Sequence, residues 1–93
     1  MTVGVMKTQL HLFGVDSLKG KRSIVKSVIG RLKSRFNASV AEVESNDSKL
    51  AAVLGISIVS NEQQLIDSQF DKIISFMRND GRFSLGRIER EIF

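Results

Sequence analysis

Residues 2–13 alternate with a period of two. Met6, Thr8, Leu10 and Leu12 fall on one face, and Val5, Lys7, Gln9 and His11 on the other. This spacing predicts a strand. Gly14-Val15-Asp16-Ser17 supplies a turn, and Ser17 is suited to cap the helix that follows. Over residues 18–36 the period becomes helical, with Ile24, Val25, Val28, Ile29, Leu32 and Phe36 on one stripe. Asn37 can end this helix, because Asn tolerates the left-handed conformation. Val40 and Val43 mark a second strand over residues 38–44, and Ser45-Asn46-Asp47-Ser48 a turn. In a third strand, residues 50–59, Leu54, Ile56 and Ile58 alternate with Val53, Gly55, Ser57 and Val59. Asn61 can cap a second helix, with Gln64 in capping-box spacing, and Ile66, Phe70, Ile73, Ile74 and Met77 form its apolar stripe. Asn79-Asp80-Gly81 ends that helix, and residues 82–92 form a last strand.

The order β-α-β-β-α-β, with right-handed crossovers, puts both helices on one face of a four-stranded antiparallel sheet. The expected fold class is α/β, more strictly α+β: a ferredoxin-like sandwich in which residues 1–93 form a single domain. The name describes topology only. The chain has no Cys to hold an iron–sulfur cluster, and this fold hosts many unrelated functions.

Composition narrows the classes. At 93 residues, 42% hydrophobic and 26% charged, the chain suits one small globular core rather than disorder. Without Cys there is neither a disulfide nor a thiolate, which suits a reducing cytoplasm. No apolar run approaches the roughly 18 residues of a membrane span, and the N-terminus lacks the pattern of a signal peptide. A soluble cytoplasmic protein is expected.

The net charge of +4 is unevenly spread: residues 1–36 carry eight Lys/Arg and one Asp, whereas residues 37–93 carry six Lys/Arg and nine acids. The surplus gathers on the first helix, which holds Lys19, Lys21, Arg22, Lys26, Arg31, Lys33 and Arg35 and no acid. At 100° per residue, Lys19, Arg22, Lys26 and Lys33 lie beside one edge of the apolar stripe, and Arg31 and Arg35 beside the other. Ser23, Ser27, Gly30 and Ser34 lie between them, opposite the core. Intrahelical ion pairs cannot account for this pattern. Small residues allow close approach of another surface, and the cationic rims can reach phosphates. A solvated helix with surplus charge is the alternative reading.

The start of the helix is a second candidate, for a small anion: free backbone N–H groups lie close to Lys19, Lys21 and Arg22. Gly14 through Ser23 approaches a phosphate-binding loop but fails it. Five residues rather than four separate Gly14 from Gly20, and Arg22 replaces the hydroxyl that would hold magnesium.

Catalytic constellations are sparse. His11 is the only histidine, and with no Cys it makes no ordinary zinc site. Glu42 and Glu44 are expected on one strand face, where they solubilise an edge. Asp67 and Asp71 are expected on the solvated side of the second helix. No nucleophile has an evident base, so no enzyme activity, cofactor or metal is expected. RNA-recognition domains of this topology stack bases on aromatic residues of central strands. The third strand here offers Val53, Gly55, Ser57 and Val59 instead, so RNA binding is expected on the helix.

Arg87-Ile88-Glu89-Arg90-Glu91 is self-complementary: paired antiparallel with its own copy about Glu89, Arg87 meets Glu91 in both directions. The same charges could equally block edge pairing. A homodimer through the last strand or the open sheet face is therefore one of two expectations.

Ser17-Leu18-Lys19, Lys21-Arg22, Val25-Lys26-Ser27, Arg31-Leu32, Arg35-Phe36-Asn37, Ser39-Val40-Ala41-Glu42 and Ile88-Glu89-Arg90-Glu91-Ile92 resemble the YlxP-like family of small bacterial proteins of undefined function. The resemblance spans nearly the whole chain and implies a ferredoxin-like fold. Members are often encoded beside translation-initiation and ribosome-maturation factors, so the resemblance also implies a ribosomal or RNA role. This sequence departs from the family pattern at Gly20, where an acid is usual. It departs again in Ser45 to Ala51, which keeps only Asp47 of a His-Gln-Asp-x-Trp-Gln-Arg-like run. The leading expectation is a non-catalytic RNA- or ribosome-associated module. The alternative is a homo-oligomeric regulatory protein that binds a small anionic ligand at the start of the first helix.

Overall fold

In the structure, a computed structural model that describes residues 1–93, the alternating first segment is β1, Thr2–Leu12. The others follow as α1 (Leu18–Arg35), β2 (Ser39–Glu44), β3 (Ala51–Ser60), α2 (Gln63–Arg78) and β4 (Phe83–Ile92). The sheet runs in the order β2-β3-β1-β4 and every pairing is antiparallel. This is the ferredoxin-like arrangement. β1, the first strand made, lies inside the sheet between β3 and β4, so its alternation settles which face is covered. Met6, Leu10 and Leu12 point to the helices and are buried, with Leu54, Ile56 and Ile58 from β3, Val25, Val28 and Leu32 from α1, and Ile66, Phe70, Ile73 and Met77 from α2. Val5, Gln9 and His11 stand exposed on the open face.

α1 packs over β2, and α2 over β1, β3 and β4. α2 approaches β1 closely at Gly4, where a Cβ would lie 2.9 Å from Phe70 Cε2 and closer still to Ile66 Cγ2. Only a residue without a side chain fits there.

Some ends form differently from the sequence expectation. Phe36, not Asn37, caps α1, in an extended conformation, and its N–H donates to Leu32 O. α2 is capped at Glu62 with no side-chain hydrogen bond, so the Asn61–Gln64 box does not form; Ser60 Oγ instead accepts from Glu62 N–H. Gly81, in the left-handed region at φ 89°, turns the chain from α2 into β4.

A register shift between Glu42 and Glu44 corrects the expectation that they share a face. The extra residue of this bulge reverses the alternation. Glu42 reaches α1, and Glu44 reaches Lys7 Nζ on the open face at 2.6 Å.

Candidate nucleic-acid interface

α1 begins as its sequence directs. Ser17 is extended and its Oγ accepts from Gly20 N–H at 3.0 Å, while Lys21 N–H donates to Ser17 O at 3.1 Å. One of the free donors of the first turn, Gly20 N–H, is thereby occupied within the chain. Lys21 then departs from expectation. Its side chain has no exposure, and its ammonium donates to Glu42 Oε2 at 2.5 Å, Ser45 O at 2.9 Å and Asn46 O at 3.2 Å. Three acceptors satisfy the three protons of an ammonium. Lys21 therefore fastens α1 to β2 and the β2–β3 turn, and is not a phosphate contact. The signal was present in the sequence. Lys21, Val25, Val28 and Leu32 follow one another at four-, three- and four-residue spacing and are all buried, so Lys21 continues the apolar stripe. The three adjacent cations expected at the helix start are thus two, Lys19 and Arg22.

Lys19, Arg22, Lys26 and Lys33 are exposed, and none makes an ion pair or side-chain hydrogen bond. They form the unneutralised rim predicted for this edge of the helix. On the other rim, Arg31 lies 5.2 Å and Arg35 4.6 Å from the centre of the Phe76 ring of α2. Such stacking holds a guanidinium in place without removing its charge. Arg31 also lies 3.7 Å from Asp80 Oδ2, a distance at the outer limit of an ion pair. The strip between the rims is largely as expected. Ser23, Gly30 and Ser34 are exposed, and a Cβ at Gly30 would meet no neighbour within 4 Å. Ser34 donates to Arg31 O, and Ser27 is half-buried and accepts from Arg82 Nη1 at 3.2 Å.

Sequence reasoning missed one contribution from α2. Lys72 is exposed and lines a shallow groove with Arg35, Phe36, Ser75, Phe76 and Asn79. The antiparallel packing of the helices brings Lys72 beside Arg35, and no local signal in the chain announces it. Asp67 and Asp71, expected to be merely solvated, both accept from Arg90 of β4, at 3.1 and 2.8 Å.

Two ionisable groups near the strip are shifted. Arg82 donates through Nε to Asp80 Oδ1 at 2.6 Å and through Nη2 to Oδ2 at 2.8 Å. These bonds hold the Asp80 carboxyl below the usual aspartate range against the opposing effect of burial, and they raise the Arg82 guanidinium. On the open face the hydrogen bond to Glu44 raises Lys7. His11 is exposed there, and no three His, Asp or Glu side chains gather as a metal site. No helix is long and apolar enough to cross a membrane.

The family described as protein of unknown function DUF503 matches residues 3–90. This chain belongs to that family. It is similar to the uncharacterized protein YlxP of Bacillus subtilis (strain 168), at 26% identity over 90 residues, which cover 97% of this chain and 92% of that protein. It is also similar to a de novo designed protein with a ferredoxin fold, solved by NMR in solution. That likeness has a TM-score of 0.46 and 20% identity over 99% of this chain and 84% of the designed one.

Proposed function

We propose that this member of the DUF503 family is a non-catalytic module of the cytoplasm that binds the phosphate backbone of RNA, on the ribosome or a ribosomal precursor, through α1. The observation that carries the reading is the rim of Lys19, Arg22, Lys26 and Lys33, four exposed cations with no carboxylate within ion-pair distance. Lys19 and Arg22 are three residues apart, and Arg22 and Lys26 four, so they repel one another across the helix surface. Each such pair costs about 0.2–0.5 kcal/mol in the free protein, and an anionic partner relieves that cost. Arg31 and Arg35, splayed on Phe76, give the other rim, and Ser23, Gly30 and Ser34 keep the ground between low enough for a backbone to lie on it. Phosphate contacts position a partner and carry little sequence information. The central strands of the open sheet face present Val5, Lys7, Gln9, Gly55 and Ser57 and no Phe, Tyr or Trp on which bases would stack, and the one ring they carry there is His11.

Binding to structured RNA across a salt series tests this. Each phosphate contact contributes about 0.7–0.9 to the slope of log affinity against log salt. Reversing Lys26 and Lys33 to Glu together should weaken binding and reduce the slope by about 1.4–1.8. Lys49→Glu, at an exposed unpaired lysine in the β2–β3 connection, should leave the slope unchanged. A slope near zero for the unaltered chain, or no effect of the double reversal, refutes the reading. Co-sedimentation with ribosomal subunits at low and high salt separates a ribosomal partner from free RNA.

A further inference from the structure

The two edges of the sheet are unlike. β2 has six residues and is bulged between Glu42 and Glu44, and both features discourage another strand from adding to it. β4 has ten residues, and its one irregularity lies upstream, where Gly86 and Arg87 face Gln9 alone. From Ile88 onward its register with β1 is regular. Val3 and Phe93 exchange both backbone hydrogen bonds, at 3.1 and 2.8 Å, so the N–H and C=O of Phe93 point inward. Strand alternation turns those of Glu91 and Glu89 inward too, and those of Ile92, Arg90 and Ile88 outward, where no strand lies. A charged side chain often guards such an edge. Arg90 is not free to do so, because Asp71 and Asp67 hold it at 2.8 and 3.1 Å over the Phe70 ring.

The geometry points to a second copy of this chain as the occupant of the β4 edge, paired antiparallel about a two-fold axis at Glu89. This register sets the outward groups of Ile88 against those of Arg90 of the copy, twice, so ladder hydrogen bonds form on both sides of the axis. On the open face it sets Arg87 opposite Glu91 of the copy, also twice. The single like-charged contact, Glu89 with its own copy, is offset by Arg87 at 2.9 Å in the same strand and by Lys7 beside it on β1. An axis at Arg90 would oppose Arg90 with Arg90 and Glu89 with Glu91, and charge disfavours it. An axis at Ile88 would pair Arg87 with Glu89 but set the outward groups of Arg90 against Gly86 of the copy, in the bulge, and so keep only the Ile88 pair in regular register. The dimer has one continuous sheet, and α1, which packs over β2, remains exposed in both copies.

Sedimentation equilibrium of the full chain over a wide concentration range tests the proposal. The unaltered chain should reach the dimer mass. Arg87→Glu alone and Glu91→Arg alone should each be monomeric where the unaltered chain is dimeric. An equimolar mixture of the two variants should regain the dimer mass, because only the mixed pair sets Glu opposite Arg at both positions. A monomer throughout, a dimer that survives either single reversal, or variants that fail to combine overturns the proposal. Both side chains are exposed, and circular dichroism verifies that the variants fold.

Discussion

Lys21 has its ammonium held among Glu42, Ser45 and Asn46 and shares nothing with solvent. Removing one member of a buried ion pair costs about 3–5 kcal/mol, since the other charge stays behind without a partner. Lys21→Met should lower unfolding free energy by about 3 kcal/mol in chemical denaturation, a large share of what a domain of this size has. The same variant, tested where it is still folded, should leave the salt slope of RNA binding unchanged. A lysine on the free rim would behave in the opposite way in both measurements. Thr8 presents a different imbalance. It lies wholly inside the core face of β1, and its Oγ1 finds no hydrogen-bond partner in the protein. A buried hydroxyl without a partner costs about 1–3 kcal/mol, and valine has the same shape without it. Thr8→Val should therefore raise stability by about 1 kcal/mol, seen as a higher denaturation midpoint. Unchanged or lower stability would mean that the hydroxyl is satisfied after all.

At the scale of elements, α1 and α2 meet through a seam of aromatic and charged groups. Phe36 and Phe76 pack edge to face at 6.1 Å, and the guanidiniums of Arg31 and Arg35 lie over Phe76. Below them Asp80, just past α2, binds Arg82, and Arg82 reaches Ser27 of α1, so the α2–β4 turn is tied to the first helix. Asp80 is lowered chiefly by its side-chain hydrogen bond with Arg82. The folded chain therefore holds this carboxyl ionised at pH values where the unfolded chain protonates it. The resulting stability is fully present above the ordinary aspartate range and is lost as pH falls through the lower, folded value. Asp80→Asn should destabilise the protein at neutral pH by about 1–3 kcal/mol and make its acid unfolding less steep. Urea unfolding at neutral and acidic pH checks both. Equal losses at both pH values would mean that the charge on Asp80 contributes nothing. The same seam shows what local pattern conveys. Period 3.6 identified both helices and their buried stripes. It could not show that Phe76 would lie beneath two arginines from the other helix, because no spacing within α2 encodes a neighbour on α1.

At the scale of the molecule, charge and shape divide the labour. Cations with no partner gather on α1, above β2, while most of the chain's acids are engaged by cations elsewhere in the fold. Glu42 holds Lys21, Glu44 holds Lys7, Asp80 holds Arg82, and Asp67 and Asp71 hold Arg90. That division is why the exposed, unpaired rim read from the sequence comprises Lys19, Arg22, Lys26 and Lys33 but not Lys21. Counting charges along one helix reveals a surplus, but which cation is neutralised depends on a strand that arrives about twenty residues later. The β2 bulge made the difference. It split Glu42 from Glu44 and left one carboxylate on each face of the sheet. By itself the sequence determined the six elements, their order and the inward faces of β1, β3, α1 and α2, because periods of two and 3.6 are local properties of the chain. Tertiary structure alone decided which charged side chains stay in water, which strand edges lie open and where the two helices touch, because those outcomes depend on contacts between segments that no local period relates.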